Sequence, residues 1–179
     1  MKGPKKNLLR LALYICLFLS AFGLARAQPS SQYERLATVR VALASAITKV
    51  EQETNDRVFW AAFAVEHDRY VWDIESFTDS GIVEYRLDAQ SGRFVRVTER
   101  PGQTNIYKVL SADRAERLRA AKLTAADAVR NAEQASGAVA ESLDVSIIQA
   151  RIVYLVRLRN PGKRQVAAVD AVTGHISFN

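Results

Sequence analysis

Asp88-Ala89-Gln90-Ser91-Gly92 recurs 82 residues later as Asp170-Ala171-Val172-Thr173-Gly174. Both copies of this Asp-Ala-x-[Ser/Thr]-Gly motif are flanked by strand-like sequence. The same offset aligns far more than the pentapeptide, and without a gap. Ala46-Ile47 falls on Ala128-Val129, Glu51-Gln52 on Glu133-Gln134, and Trp72 and Ile74 on Tyr154 and Val156. Leu87-Asp88-Ala89 falls on Val169-Asp170-Ala171. Helix, strand and turn positions that agree at one offset restrict the chain to a small pattern built twice. Two copies are too few for a solenoid, so a tandem pair is expected.

The local pattern supplies the elements of each copy. Ser31 with Glu34 fits a capping box. Leu36, Val39, Leu43, Ile47 and Val50 then recur at helical spacing, which predicts a helix to about Thr54 with a break near Arg40. Residues 58–65, 70–77, 82–87 and 94–97 read as four strands separated by Glu66-His67-Asp68, Thr78-Asp79-Ser80-Gly81 and the Asp88 turn. Residues 98–121 join the copies, with a short strand expected at 106–110 and an Arg-rich helix at 111–121. Thr124 with Asp127 opens the second helix, and Gly137 is its natural stop. Residues 139–148, 151–159, 164–169 and 175–178 are the second set of strands. The expected fold is α+β: two tandem units, each a helix packed on an antiparallel β-meander.

The net charge of +6 suggests nucleic acid until its location is considered. Lys2, Lys5, Lys6, Arg10 and Arg26 lie in the first 27 residues, which hold no acid; removing those five leaves 20 basic and 19 acidic residues, a net +1. The basic residues belong to a targeting segment. Residues 11–24 form an apolar run, and Ala25-Arg26-Ala27 places small residues at −3 and −1 of a cleavage site. Cleavage is expected before Gln28, giving a periplasmic or secreted protein that meets the membrane only through this signal; retention of the segment as an anchor is the alternative. The expected organisation is a signal peptide at 1–27, a first unit at 28–97, a connecting segment at 98–121 and a second unit at 122–179. Cys16 is the only cysteine and lies in the signal, so packing alone must hold the exported chain together.

This pattern resembles the PepSY domain family. The resemblance rests on Thr124, Asp127 and Ala128 at a helix start, Tyr154 and Val156 in a central strand, and Asp170, Ala171, Thr173 and Gly174 in a terminal hairpin. The first copy departs from it at the helix start, where Ser45 replaces the acid, and in its Gln90-Ser91 turn. The resemblance covers about residues 41–97 and 122–179. It implies a helix on an antiparallel sheet outside the cytoplasm, and a part in peptidase propeptides or membrane-attached regulators. It brings no catalytic residue.

The residues themselves agree in pointing away from chemistry. Asp88 and Asp170 suit carboxylates that bind N–H groups of their own turns, with Gly92 and Gly174 supplying positive φ. On this reading Gly174→Val would damage the second unit and spare the first. His67 and His175, the only histidines, lack any nucleophile motif. No catalytic residue, metal site or cofactor is expected. The aromatics crowd the first copy, and Trp60, Trp72 and Tyr85 are the candidate partner-binding aromatics. Residues 41–97 carry 6 basic and 10 acidic side chains. The basic connecting helix could lie against this acidic copy. Arg151, Arg157, Arg159, Lys163 and Arg164 could form a basic patch on the second sheet. The expected function is an exported, non-enzymatic binding or regulatory protein whose partner is a protein, such as a peptidase or envelope regulator. The alternative is a small-ligand or envelope-surface sensor using a cleft between the units.

Overall fold

Aromatic and β-branched residues along 57–66 and 69–77 favour strands, and the computed structural model places both strands in the interior of one sheet. It describes residues 32–78, 81–101 and 112–179. The expected signal segment and its cleavage site, Ser31 of the first capping box, and the strand expected at 106–110 lie outside the described residues. Two short helices, α1 (Gln32–Ala37) and α2 (Leu43–Thr54), precede β1 (Arg57–Glu66), β2 (Arg69–Phe77), β3 (Gly81–Asp88) and β4 (Phe94–Pro101). Helices α3 (Ala112–Arg119) and α4 (Ala125–Ser136) precede β5 (Val139–Ile148), β6 (Arg151–Asn160), β7 (Lys163–Asp170) and β8 (Ile176–Phe178). The break expected near Arg40 is the gap between α1 and α2. Among the described residues, no helix is long and apolar enough to cross a membrane.

The eight strands form one antiparallel sheet in the order β4-β3-β2-β1-β5-β6-β7-β8. Its central ladder pairs Trp60 with Asp144, Ala61 with Leu143 and Ala62 with Ser142. Leu143 is the residue 82 positions after Ala61, so the halves meet symmetrically, each through its own first strand. That pairing removes two strand edges that would otherwise be open. Helices α2 and α4 pack on each other over this junction, and Arg130 Nη1 donates to Thr48 Oγ1 between them at 3.3 Å. The buried cluster is continuous from Ile47, Val50, Trp72 and Leu87 to Val129, Leu143, Tyr154 and Val156.

Hydrogen bonds recur at the same offset. Trp72 Nε1 donates to the carbonyl of Val41 at 2.8 Å, and Tyr154 Oη donates to that of Leu123 at 3.0 Å. In each half, the N–H at the segment before the main helix donates to the turn alanine: Val41 to Ala89 and Leu123 to Ala171. Glu51 and Glu133 each accept the backbone N–H at the entry to the next strand, from Val58 and Ala140. Both helices close with a left-handed cap, Asn55 (φ 59°) and Gly137 (φ 65°). The expected capping box of α4 is formed, with Thr124 accepting from the Asp127 N–H and Asp127 accepting from that of Thr124. The start of α2 has no such box: Ala42 caps it without a side-chain bond.

The short helices cross over. Helix α1 packs against β5 of the second half, and α3 against β1 of the first as well as β6. Leu36 and Leu118, 82 residues apart, are their buried anchors. The basic connecting helix therefore does reach the first half, with Arg119 beside Asp56 and Arg57.

The continuous core predicts that unfolding is a single transition, not the loss of one unit. Gly174 sits at φ 73°, where a Cβ costs about 1–2 kcal/mol. Gly174→Ala should lower the melting temperature of the whole molecule in one calorimetric peak. Two separated peaks would contradict the shared core. Burial raises the Glu133 carboxyl above its usual range, with the Ala140 N–H bond opposing. The ionised form is therefore penalised in the fold, and stability falls as pH rises through the unfolded-state value. Glu133→Gln keeps an acceptor for Ala140. It should stabilise the protein at pH 7 and lose that advantage at pH below the ordinary carboxyl value of 4.5, as read from denaturant midpoints.

Candidate binding surfaces

Alternation along the strands gives the sheet two faces of different character. Ala61, Phe63, Trp72, Ile74, Tyr85 and Leu87 belong to the buried cluster beneath α2 and α4. Of the three candidate aromatics, Trp72 is 0% and Tyr85 5% exposed. Neither is available to a partner. The Val41 carbonyl fixes the Trp72 indole inside, and Tyr85 packs on Phe94 at a ring separation of 5.9 Å. Burial also pushes the Tyr85 hydroxyl up from its usual value, ahead of a Ser76 hydrogen bond that lowers it.

Trp60 is different. It is half-buried and lies on the face opposite the helices, because Ala61 after it points inward. A bulge between Val58 and Trp60 sets this phase. Register places Trp60 between Glu75 on β2 and Asp144 on β5. Asp144 is exposed, and Glu75 is buried at 8%. In the next row, Ala62 lies between Asp73 and Ser142.

Charge on this face is organised by Arg86. Its guanidinium bonds both oxygens of Asp73, with Nη2 to Oδ2 at 2.9 Å, and reaches Glu66 Oε1 at 2.8 Å. The Asp73 hydrogen bond, partly offset by burial, holds it firmly protonated. Glu84 pairs with Arg100 on the same face. In the second half, Arg159 pairs with Glu141 at 2.5 Å. That pair draws Arg159 out of the basic patch expected there, while Arg151, Arg157, Lys163 and Arg164 remain exposed.

The paired turns use their polar groups internally. Asp88 Oδ1 accepts from the Gln90 and Ser91 N–H groups and the Ser91 hydroxyl, at 3.1, 2.7 and 2.8 Å. Asp170 Oδ1 accepts from the Val172 and Thr173 N–H groups at 2.9 and 2.8 Å. These bonds, led by the Ser91 hydroxyl at Asp88 and the Thr173 N–H at Asp170, hold both carboxyls below the usual range. Gly92 (φ 68°) and Gly174 (φ 73°) close the turns in the left-handed region. His67 and His175 are exposed and sit in different halves, at the β1–β2 turn and just before β8. Among the described residues, no group of three His, Cys, Asp or Glu side chains is placed to hold a metal ion.

One recess was not anticipated from the sequence. It has a volume of about 440 Å³ and is lined by residues of α3, the β5–β6 turn and the Asp170 turn. Its parts lie on three separate segments, so periodicity could not assemble them. A comparison of unlike residues at the offset of 82 would have marked it.

Residues 40–98 match the family model described as peptidase propeptide and YPEB domain, PepSY. The match covers the first half, from the entry to α2 through most of β4. No curated protein matches the chain. Among solved structures, a candidate lipoprotein from Clostridium difficile 630 is similar at 12% identity. That likeness spans 79% of this chain and 93% of the other, with a TM-score of 0.47.

The halves supply a test of the Arg86 cluster. Asp73 and Arg86 correspond at the offset of 82 to Leu155 and Ala168. Arg86→Ala alone leaves the Asp73 carboxylate, 14% exposed, without its partner and should cost about 1–3 kcal/mol. Adding Asp73→Leu, which copies the second half, should recover most of that loss. Urea midpoints of the two variants measure this, and a double variant as weak as the single one would show that the pair stabilises the fold outright.

Proposed function

We propose that the protein is an exported, non-catalytic regulatory module built from two PepSY-type units, which acts by docking a protein partner such as a peptidase or another envelope protein. The units are residues 28–97 and 122–179, joined by 98–121, and export follows cleavage near Ala27. The family match at residues 40–98 supports the PepSY assignment of the first unit. The shared hydrogen bonds at Trp72 and Tyr154, and at Glu51 and Glu133, support extending it to the second. The apolar run and Ala25-Arg26-Ala27 support export.

The observation that carries the docking reading is the position of Trp60. It is the one of the three candidate aromatics that is only partly buried, packed against the core on the sheet face opposite the helices, between Glu75 and Asp144. A half-buried indole beside the exposed Asp144 carboxylate suits a basic side chain, through cation–π attraction and charge. Residues 41–97, with their acidic excess, suit the same kind of partner. A small-ligand sensor working through a cleft between the units finds its junction filled by the β1–β5 ladder and the packed helices α2 and α4.

Photo-crosslinking from position 62, beside Trp60 on the same face, in an envelope extract tests the docking reading. A discrete protein partner should be captured at native levels, with a basic segment at the crosslink. Trp60→Ala with Asp144→Lys should abolish capture while the variant, although less stable, still unfolds in a single transition well above the assay temperature. Undiminished capture by that variant, or no partner at all, would remove the support for docking on this face.

A further inference from the structure

The recess beside the Asp170 turn has the composition of a binding site for a small organic anion. Arg117 and Arg151 line it together with the apolar Ala120, Ile152 and Val172. Ile152 is 5% exposed and Val172 50%, so the apolar lining runs from the core to solvent. Arg117 Nη1 donates to the Ala150 carbonyl at 3.0 Å, which fixes the α3 side of the mouth to the β5–β6 turn. That turn is a two-residue hairpin loop with Gln149 at φ 51° and Ala150 at φ 62°, the geometry that His67 and Asp68 adopt in the first half. Asp170 contributes one carboxylate. Its Oδ1 is committed to the turn N–H groups, and its Oδ2 lies 3.6 Å from Arg151 Nη1. That separation is well beyond a charge-assisted hydrogen bond of about 2.7–2.9 Å. Arg151 is 71% exposed, so its guanidinium is accessible to a bidentate anion.

The other half carries a side-chain bridge at the corresponding place. At the offset of 82, the arginines are retained as Arg35 and Arg69, and the carboxylate as Asp88. The lining is not retained. Val172, Ala120 and Ile152 correspond to Gln90, Thr38 and Tyr70. Gln90 Nε2 donates to the Thr38 carbonyl at 3.2 Å, bridging the position with a side chain. Val172 has no donor with which to do the same. With apolar residues in place of three polar ones, and both arginines kept, the second half has an apolar lining beside two cations where the first has a side-chain bridge.

We infer that this recess binds a small monocarboxylate with a branched apolar body, the carboxylate on Arg151 and Arg117 and the apolar group against Ile152, Ala120 and Val172. Its volume lies within the range of about 300–1,000 Å³ usual for ligand pockets. Two sources share this chemistry: a free organic acid, and the C-terminal residue of a polypeptide. The inference stands apart from the docking face around Trp60, which lies on the other half.

Titration of the ¹⁵N-labelled full chain with N-acetylleucine, N-acetylleucinamide and N-acetyl-Ala-Ala-Leu tests it. N-acetylleucine should move the amide resonances of Arg151, Val172 and Thr173, and the uncharged leucinamide should not. Arg151→Gln, at an exposed position, should raise the dissociation constant about tenfold, the loss of one charge-assisted hydrogen bond. Val172→Gln, which copies the bridge of the first half, should weaken binding with the rest of the spectrum unchanged. Tighter binding of the tripeptide than of N-acetylleucine assigns the site to polypeptide C-termini, and equal or weaker binding to free acids. Equal binding of acid and amide, shifts confined to other residues, or undiminished binding by the folded Arg151→Gln variant would overturn the inference.

Discussion

The ladder between β1 and β5 is the constraint on which the rest of the molecule depends. Three in-register pairs centred on Ala61 and Leu143 turn two four-stranded meanders into one sheet. A helix on four strands has a small core and open strand edges. Pairing the two first strands covers the edges that would otherwise face water, and it brings α2 beside α4. Trp72 and Tyr154 then lie in the same buried cluster. The crossed short helices extend the same sharing, since each places its leucine against strands of the other half. The single cysteine is Cys16, so no internal disulfide can join the halves, and burial and strand pairing perform that task.

The offset of 82 preserves backbone chemistry and releases surface chemistry. Groups that would be costly to bury unpaired are matched in both halves: the helix-entry carbonyls of Val41 and Leu123, the strand-entry N–H groups of Val58 and Ala140, and the turns at Asp88 and Asp170. Side chains whose partners lie at the sheet surface diverge freely. Phe59 stacks on Phe77 at 4.3 Å where the second half pairs Glu141 with Arg159. Asp73 and Arg86 face each other where the second half has Leu155 and Ala168. Either solution fills its place, because an ion pair with both partners present and a packed apolar pair differ little in net free energy. Such positions are where two copies of one pattern can acquire different binding surfaces.

Much of this was legible in the residues. The strands were placed within a few positions by their alternation and their turns, and the capping box of α4 by Thr124 and Asp127. The break before α2 was visible in the interrupted spacing near Arg40. The aromatic-rich first half read less clearly. Trp60, Trp72 and Tyr85 have the same chemistry in sequence, and both faces of the strands around them are apolar. The bulge at Val58 and Trp60 shifts the phase by one residue, which no periodicity count resolves. The recess at Arg117, Arg151 and Val172 was hidden for another reason, since its three segments are distant in the chain.

The amino-acid sequence by itself determined the local structure: helices and strands from the spacing of apolar residues, and the paired turns from Asp and Gly, whose preferences act over a few residues. It also determined that the pattern occurs twice and that residues 11–24 form an apolar run. Only the tertiary structure decided how the copies join, which aromatics are enclosed, and which cations share a recess. Those outcomes depend on contacts between distant segments, where strand register and helix packing select among arrangements that local propensity leaves equal in energy.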